Sequence, residues 1–472
     1  MNKFKRNLVV FICMVMISFG ANTIGQATSN VISETGGIKI SKVVATVFGD
    51  ITTTKGFTWY TNKTSTSSDL EVVEKLSFEP NFEEAIKFKG KNYVPTNSQE
   101  EMVHKAIATD LDGNTEYFYR VGDSNLNSWS NVGTFKTGSK EGEVTFINIT
   151  DTQAKTEEEA KLSSETIEKS LKTVNNVEFI SLNGDWVDSG KNEKQWDWLF
   201  GYSQNSLLNT TIAPVAGNHD SSKNSFIDHF NLDVGEGSDT SKGAYYSYDY
   251  SNAHFIVLNN NEDSEEFRNF SVNQIEWLKN DVKEAREDGS EWIIVQMHKG
   301  PYTIGNHATD NDITGPNGVR TKVAPLMEEL GVDLVLQGHD HTYSRTKALK
   351  NGVPVDVEKI KETVNGVEVD YTVNPQGTIY MTPNTAGPKV YNKNKDIGSS
   401  YYDLFEVVNK DPASQEGDDS KKSDKPERGI IQNFISIKIS GDKLTSITYE
   451  INQKKNNGEP YIIDTFGILK ES

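Results

Sequence analysis

Phe146-Ile147-Asn148-Ile149-Thr150-Asp151-Thr152-Gln153 starts as an apolar run and ends in polar groups. Four more segments follow the same grammar. Phe179-Ile180-Ser181-Leu182 runs into Asn183-Gly184-Asp185-Trp186-Val187-Asp188, and Ile212-Ala213-Pro214-Val215 into Ala216-Gly217-Asn218-His219-Asp220. Ile293-Ile294-Val295 runs into Gln296-Met297-His298, and Leu334-Val335-Leu336 into Gln337-Gly338-His339-Asp340-His341. Short apolar runs of this length read as buried strands. Helical periodicity fills the intervals at 157–174, 193–200 and 271–287, with Ser271 placed to cap the last. Strand–helix alternation of this kind over about 200 residues predicts a layered α/β domain.

In such sheets the loops at the carboxyl ends of the strands converge on one crevice. Here those loops carry Asp, Asn and His, the donors that hold borderline and hard divalent cations. The chain has eight histidines, and four of them (His219, His298, His339 and His341) lie in these loops. One strand-end histidine is ordinarily a hydrogen-bonded structural residue. Five such loops in order point to a metal site.

The chain has 472 residues with 48 Lys plus Arg against 68 Asp plus Glu, a formal net charge of −20. That balance argues against a nucleic-acid-binding domain or a basic membrane-surface protein. Aromatics at 10% exclude overall disorder. Beyond the N-terminus no apolar stretch is long enough to span a bilayer, which excludes a polytopic membrane protein.

Residues 1–27 read as a secretory signal peptide. Lys3, Lys5 and Arg6 precede an apolar run at 8–21, and Gly25 and Ala27 are small residues suited to a cleavage site. An uncleaved anchor is the other reading of this segment. The expectation is a secreted or cell-surface protein with no membrane span after signal cleavage. Cys13, the one cysteine, lies inside the signal, so the mature chain would hold no disulfide, catalytic thiol or Cys-ligated zinc.

Residues 35–138 look all-β. Phe57-Thr58-Trp59-Tyr60-Thr61 and Thr115-Glu116-Tyr117-Phe118-Tyr119-Arg120-Val121 read as strands among turn-rich segments, which predicts a small β-sandwich. Ser139-Lys140-Glu141-Gly142 reads as a polar linker. Asn351-Gly352 and Asn365-Gly366 mark hairpin turns, residues 409–428 an exposed acidic loop, and the chain closes on three strand patterns.

The ordered set Asp151-x-Gln153, Gly184-Asp185, Gly217-Asn218-His219-Asp220, His298 and Gly338-His339-x-His341 resembles the calcineurin-like metallophosphoesterase superfamily. More narrowly it is similar to the purple acid phosphatases, in His339-x-His341-x-Tyr343-x-Arg345 and in His298 followed by Pro301-Tyr302 and His307. Thr58-Trp59-Tyr60-Thr61 and Leu111-x-x-x-Thr115-x-Tyr117-x-Tyr119-Arg120-Val121-Gly122-Asp123 look like that family's N-terminal, fibronectin-III-type domain. The resemblance implies an N-terminal β-sandwich plus a four-layer α/β/β/α metallophosphoesterase domain, and extends that domain to residues 144–470. It also implies hydrolysis of a phosphate-ester substrate with two divalent or trivalent metal ions (Fe, Mn or Zn), a metal-bridging hydroxide being the attacking group.

By that resemblance Asp185 bridges the two ions. Asp151, His341 and, where the wider superfamily has His, Gln153 complete metal one; Asn218, His298 and His339 complete metal two. His219 matches a histidine near the leaving group, with Asp220 as its orienting partner, and His307 a second histidine on the substrate side. Two departures stand out. Asp188 takes the place of the tyrosine that colours purple acid phosphatases, and Gln153 offers only a neutral amide oxygen. Asp188 is either a ligand, directly or through water, or a turn carboxylate; Gln153 is either a ligand or a solvated strand-end residue. His254, His104 and His229 read as structural, Tyr343 and Arg345 as supports of the last metal loop or as substrate contacts. Asn384 and Gly387 are expected at the rim. The competing reading is a cell-surface binding or scaffold protein whose phosphatase domain has decayed at metal one.

Overall fold

Residues 37–408 and 428–471 are described in the computed structural model. The segment at 1–27 expected as a signal and nearly all of the loop expected at 409–428 lie outside the described residues. Strands Glu143–Ile149, Phe179–Asn183 and Thr211–Val215 pair side by side in parallel. The last two are buried along their whole length, as parallel strands covered on both faces must be.

One face lies under helices Glu157–Thr173 and Glu193–Leu207. The Thr156 side chain accepts from Glu159 N, and three glutamates occupy the first turn, where the helix dipole favours negative charge. The second helix runs further than the expected 193–200. Its last turns bury Ser203 and Gln204, polar residues that hide the apolar stripe. Gln204 tolerates burial because its amide bonds both Val43 N and Val43 O, at 3.0 and 2.8 Å.

The other face meets a second sheet. In spatial order it runs Tyr246–Tyr250, Ala253–Val257, Trp292–Gln296, Leu334–Leu336, Ile379–Pro383, Tyr343–Thr346 and Phe405–Val408. Phe146 and Phe179 meet the edge of Phe255 at 5.3 and 5.4 Å between ring centroids, closing the core between the sheets. Helix Val272–Glu287, capped by the Ser271 side chain, and the short helix Ala324–Glu329 cover the outer side. The layers are α/β/β/α, as the resemblance implied.

The first sheet extends beyond this domain. On one side, strands Ile431–Ser440, Lys443–Asn452 and Tyr461–Leu469 add antiparallel. On the other, Ile40–Thr46 pairs in parallel with Thr211–Val215 through Ala45↔Thr211 and Thr46↔Ile212, and carries Lys55–Asn62 and Glu101–Ala108 behind it. One layer of the N-terminal β-sandwich is therefore continuous with the α/β sheet, in a single twelve-stranded order. The second layer is built on Asp69–Glu74 and Glu116–Asp123, packed through Phe57, Leu70, Tyr119 and Phe135.

Charge also crosses this junction. Lys42 is only 3% exposed, and its ammonium sits 3.1 Å from Glu101, 2.7 Å from Glu193 and 2.6 Å from Asp197. His104 and His229 are buried and satisfied: His104 bonds Thr61 and Ser68, and His229 bonds Ser225 O and Glu193. The hairpin strands Glu358–Val364 and Val367–Val373 turn at Asn365-Gly366, both at positive φ, as an Asn-Gly turn requires. Among the described residues no helix is long and apolar enough to cross a membrane.

Candidate active site

All five strand ends meet at one place, and the backbone there is strained. Asp151, Gln153, Asp185, His339 and Asn384 adopt φ of 56°, 33°, 52°, 68° and 74°, which side-chain-bearing residues rarely hold. Hydrogen bonds between loops lock them, Asp151 N to Gly184 O at 3.0 Å and Gln153 N to Asp185 O at 2.8 Å. Gly217 is required by close approach: a Cβ there would lie 2.1 Å from Asp185 Oδ1.

Asp185 is fully buried, and its two oxygens face different donor sets. Oδ1 lies 3.3 Å from His298 Nε2, which is itself 3.2 Å from Asn218 Oδ1. The ligand atoms of Asp185, His298 and His339 all fall within 4.8 Å of one another. Oδ2 accepts from Gln153 Nε2 at 3.2 Å. Beyond Gln153, Asp151 Oδ1 lies 3.1 Å from His341 Nε2, while Asp151 Oδ2 accepts from Thr150 Oγ1 at 2.7 Å and His339 N at 3.0 Å.

The donors are set for cations. His298 Nδ1 donates to Asn183 O at 2.8 Å and His341 Nδ1 to Lys389 O at 2.7 Å, so each ring aims its Nε2 inward. Asp151 Oδ1 and Gln153 Oε1 are buried without a hydrogen-bond partner. Unpaired buried oxygens are rare in folded proteins, and a bound cation satisfies them. Burial opposes charge on His298, but Asp185 beside it raises its pKa to about 9, so a proton does part of the work a cation would do. Burial, His298 and His307 hold His339 well below the usual histidine range, leaving it neutral as a ligand must be.

His219 lies at the mouth, a third of its side chain exposed, with Nε2 3.9 Å from Asp185 Oδ2. Its Nδ1 pairs with Asp188 O at 2.6 Å; a carbonyl only accepts, so Nδ1 carries the proton and Nε2 faces the crevice. Asp220 is not the orienting partner expected from the sequence. Its carboxylate turns inward and accepts from Trp186 N at 2.9 Å and Gly217 N at 3.0 Å, bracing the two loops. Burial and the Asp185 charge push its pKa up to about 7.

Asp188 contributes its carbonyl; its carboxylate lies beside Lys155 Nζ at 3.7 Å. His307 stands over His339 with ring centroids 4.1 Å apart, its Nδ1 bound to Asp310 at 2.7 Å. Tyr343 and Arg345 are supports: both bind Asp464, at 2.7 and 2.8 Å. The Asn384 turn underlies Asp151 through Thr385 Oγ1 to Asp151 O at 2.8 Å, and Asn384 is buried and not exposed at the rim. Gly387 is buried as well, and a Cβ there would lie 2.2 Å from Thr152 O. His254 sits away from the crevice between Asp249 and Asp281. Two wall elements escaped sequence reasoning: the carbonyl of Lys389, and Tyr391, whose ring packs 4.8 Å from His341. Neither belongs to a pattern that marks it.

The family model for calcineurin-like phosphoesterase matches residues 144–343, and that for the purple acid phosphatase N-terminal domain matches residues 41–137. Purple acid phosphatase 18 of Arabidopsis thaliana is 31% identical over 118 residues, 25% of this chain and 25% of its own. Purple acid phosphatase 23 of the same plant is 23% identical over 315 residues, 61% of this chain and 62% of its own. The chain thus spans less than two thirds of the length of these relatives. The structure of purple acid phosphatase PPD1 from yellow lupin (Lupinus luteus) seeds superimposes with a TM-score of 0.68 at 15% identity, covering 92% of this chain and 74% of that one. At that identity the likeness is one of fold.

Proposed function

We propose that this chain, which matches the calcineurin-like phosphoesterase model over residues 144–343 and the purple acid phosphatase N-terminal model over residues 41–137, is a metal-dependent hydrolase of phosphate esters with a dinuclear centre. The observation that carries the reading is Asp185: its Oδ1 turns to His298 and its Oδ2 to Gln153, so one carboxylate serves two donor sets. Asp151, Gln153, Asp185 and His341 would hold one cation, and Asp185, Asn218, His298 and His339 the other. When bound, such ions polarise a phosphoryl oxygen and acidify water.

The chain's own residues supply the rest. A phosphate ester in the crevice meets His219 on one side and His307 on the other. His219, with its proton on Nδ1 held by Asp188 O, presents Nε2 to the substrate. Protonated there, it donates to the departing oxygen as a general acid. His307, oriented by Asp310, offers its Nε2 side to a phosphoryl oxygen. Asp151 and Asp185 are buried beneath the crevice, where a low local dielectric strengthens their own electrostatic contacts.

The basic and apolar character of the segment up to Ala27 supports action outside the cell. The test is turnover of an aryl phosphomonoester and an aryl phosphodiester by chelator-stripped protein, before and after addition of Mn²⁺, Zn²⁺ or Fe. Metal-dependent turnover of either is expected. Stoichiometric metal binding with no turnover of either would replace the hydrolase reading with that of a binding protein.

A further inference from the structure

The β-sandwich reaches into the candidate active site through one side chain. Asn97, on the loop leading into strand Glu101–Ala108, donates from Nδ2 to Gly190 O at 2.7 Å. Gly190 N in turn donates to His219 O at 2.7 Å. Gly190 closes the loop that carries Asp185 and Asp188, and Asp188 O is the group that holds the His219 ring. A Cβ at Gly190 would lie 2.6 Å from Asp220 O, so the two loops are in contact here with no space between them.

Asn97 is doubly anchored. Its amide also lies 3.1 Å from Glu193 Oε2, the carboxylate bound by Lys42 of the same sandwich. Next to it, Thr96 N donates to Asp228 Oδ2 at 2.8 Å, on the segment that follows His219. The sandwich therefore grips the loop before the histidine and the segment after it.

We infer that Asn97 is a positioning residue for His219, and that the N-terminal domain is a working part of the hydrolytic site through the path Asn97–Gly190–His219. The inference rests on the proposed role of His219. Gly190 O also accepts from Trp196 Nε1 at 2.9 Å and from the Ser225 hydroxyl, so loss of Asn97 loosens the loop without releasing it. One net hydrogen bond corresponds to an effect of about 3- to 10-fold.

The test uses the full chain with Asn97→Ala, Asn97→Asp, which cannot donate, and Thr96→Ala, which keeps its backbone bond. Two readouts are taken: hydrogen exchange of the peptide spanning 184–192, and turnover of an alkyl against a p-nitrophenyl phosphate. Both Asn97 variants are expected to speed exchange at Gly190 and to lower kcat about 3- to 10-fold on the alkyl ester, less on the aryl ester, with KM little changed. Thr96→Ala is expected to change neither. In a His219→Ala background, Asn97→Ala should cost nothing further. Unchanged exchange at Gly190, or full additivity with His219→Ala, would overturn the inference. If His219→Ala itself leaves both esters untouched, the role of His219 fails, and exchange at Gly190 still decides whether Asn97 holds the loop.

Discussion

Gln153 donates its side-chain N–H to Asp185 Oδ2 at 3.2 Å and leaves its own Oε1 buried with no partner. The residue stands at φ 33°, a conformation that Gln does not adopt without surrounding constraint. Taken with Asp151 and His341, as proposed for one cation, that unpaired amide oxygen would make an oxygen-rich donor set with one imidazole. The other set has two, His298 and His339.

The two positions should therefore differ in affinity. Oxygen donors favour Mn²⁺, Mg²⁺ or Ca²⁺ over Zn²⁺. Dialysis against a mild chelator is expected to empty the Gln153 side first, and Mn²⁺ to refill it. Gln153→His should tighten that position by about 10-fold or more. Titration calorimetry showing two equally tight sites, unchanged by the substitution, would refute the assignment.

Asp185→Asn should abolish hydrolysis. An amide cannot share a negative charge between two cations, and its N–H₂ would face His298 or Gln153 where an acceptor is needed. Metal content measured by mass spectrometry should fall with activity. A loss of kcat/KM below about tenfold at saturating metal would contradict the bridge.

His219→Ala should leave the metals in place and lower turnover by about 10²–10⁴-fold, the range of a general acid. The penalty should be smaller on p-nitrophenyl phosphate, whose leaving group needs no proton. An equal loss on alkyl and aryl esters would remove the proton-donor role.

Iron-loaded protein should show no phenolate-to-iron absorption band. By the family resemblance Asp188 stands where the chromophoric tyrosine would be, and Tyr343, bound to Asp464, is committed to the core. Tyr391, packed against the His341 ring, is the tyrosine to watch. A band that vanishes in Tyr391→Phe would show that its phenol reaches the metal and would revise the ligand set.

His254 makes a separate prediction about stability. Burial alone would lower its pKa, but Asp249 and Asp281 outweigh burial and raise it to about 9. A raised folded value means the stabilisation is complete below the unfolded value of about 6.5 and is lost as pH rises through about 9. His254→Gln is expected to lower stability by about 1–3 kcal/mol at pH 6, with the gap closing by pH 10. Ser247, bound to Asp281 at 2.7 Å, stays in place as the remaining partner. Denaturant melts at the two pH values measure it; a gap that widens with pH would reverse the sign.

The sequence by itself determined the layered core and the chemistry at its edge. Asp151, Asp185, Asn218, His298, His339 and His341 each follow directly on an apolar strand, so local order alone places them on one rim. Hairpin turns at Asn-Gly were legible for the same reason: the backbone conformation is a property of the residues themselves.

Only the tertiary structure decided what depends on partners far along the chain. Asp220 looked like the partner of its neighbour His219, yet the amides of Trp186 and Gly217 turn it inward, and Asp188 O takes its place. The helix expected at 193–200 runs on to Leu207, and Gln204 is buried in its added turns because Val43, on a strand of the sandwich, satisfies both ends of its amide. The polar stretch at 139–142 read as a linker between the two domains; pairing of Ile40–Thr46 with Thr211–Val215 makes them share a sheet. Asn97 carries no motif at all, and its place beside Gly190 exists only because of that pairing. Strand patterning is written in each residue's own hydrophobicity, whereas a buried polar group takes its direction from whichever donor or acceptor the fold brings within reach.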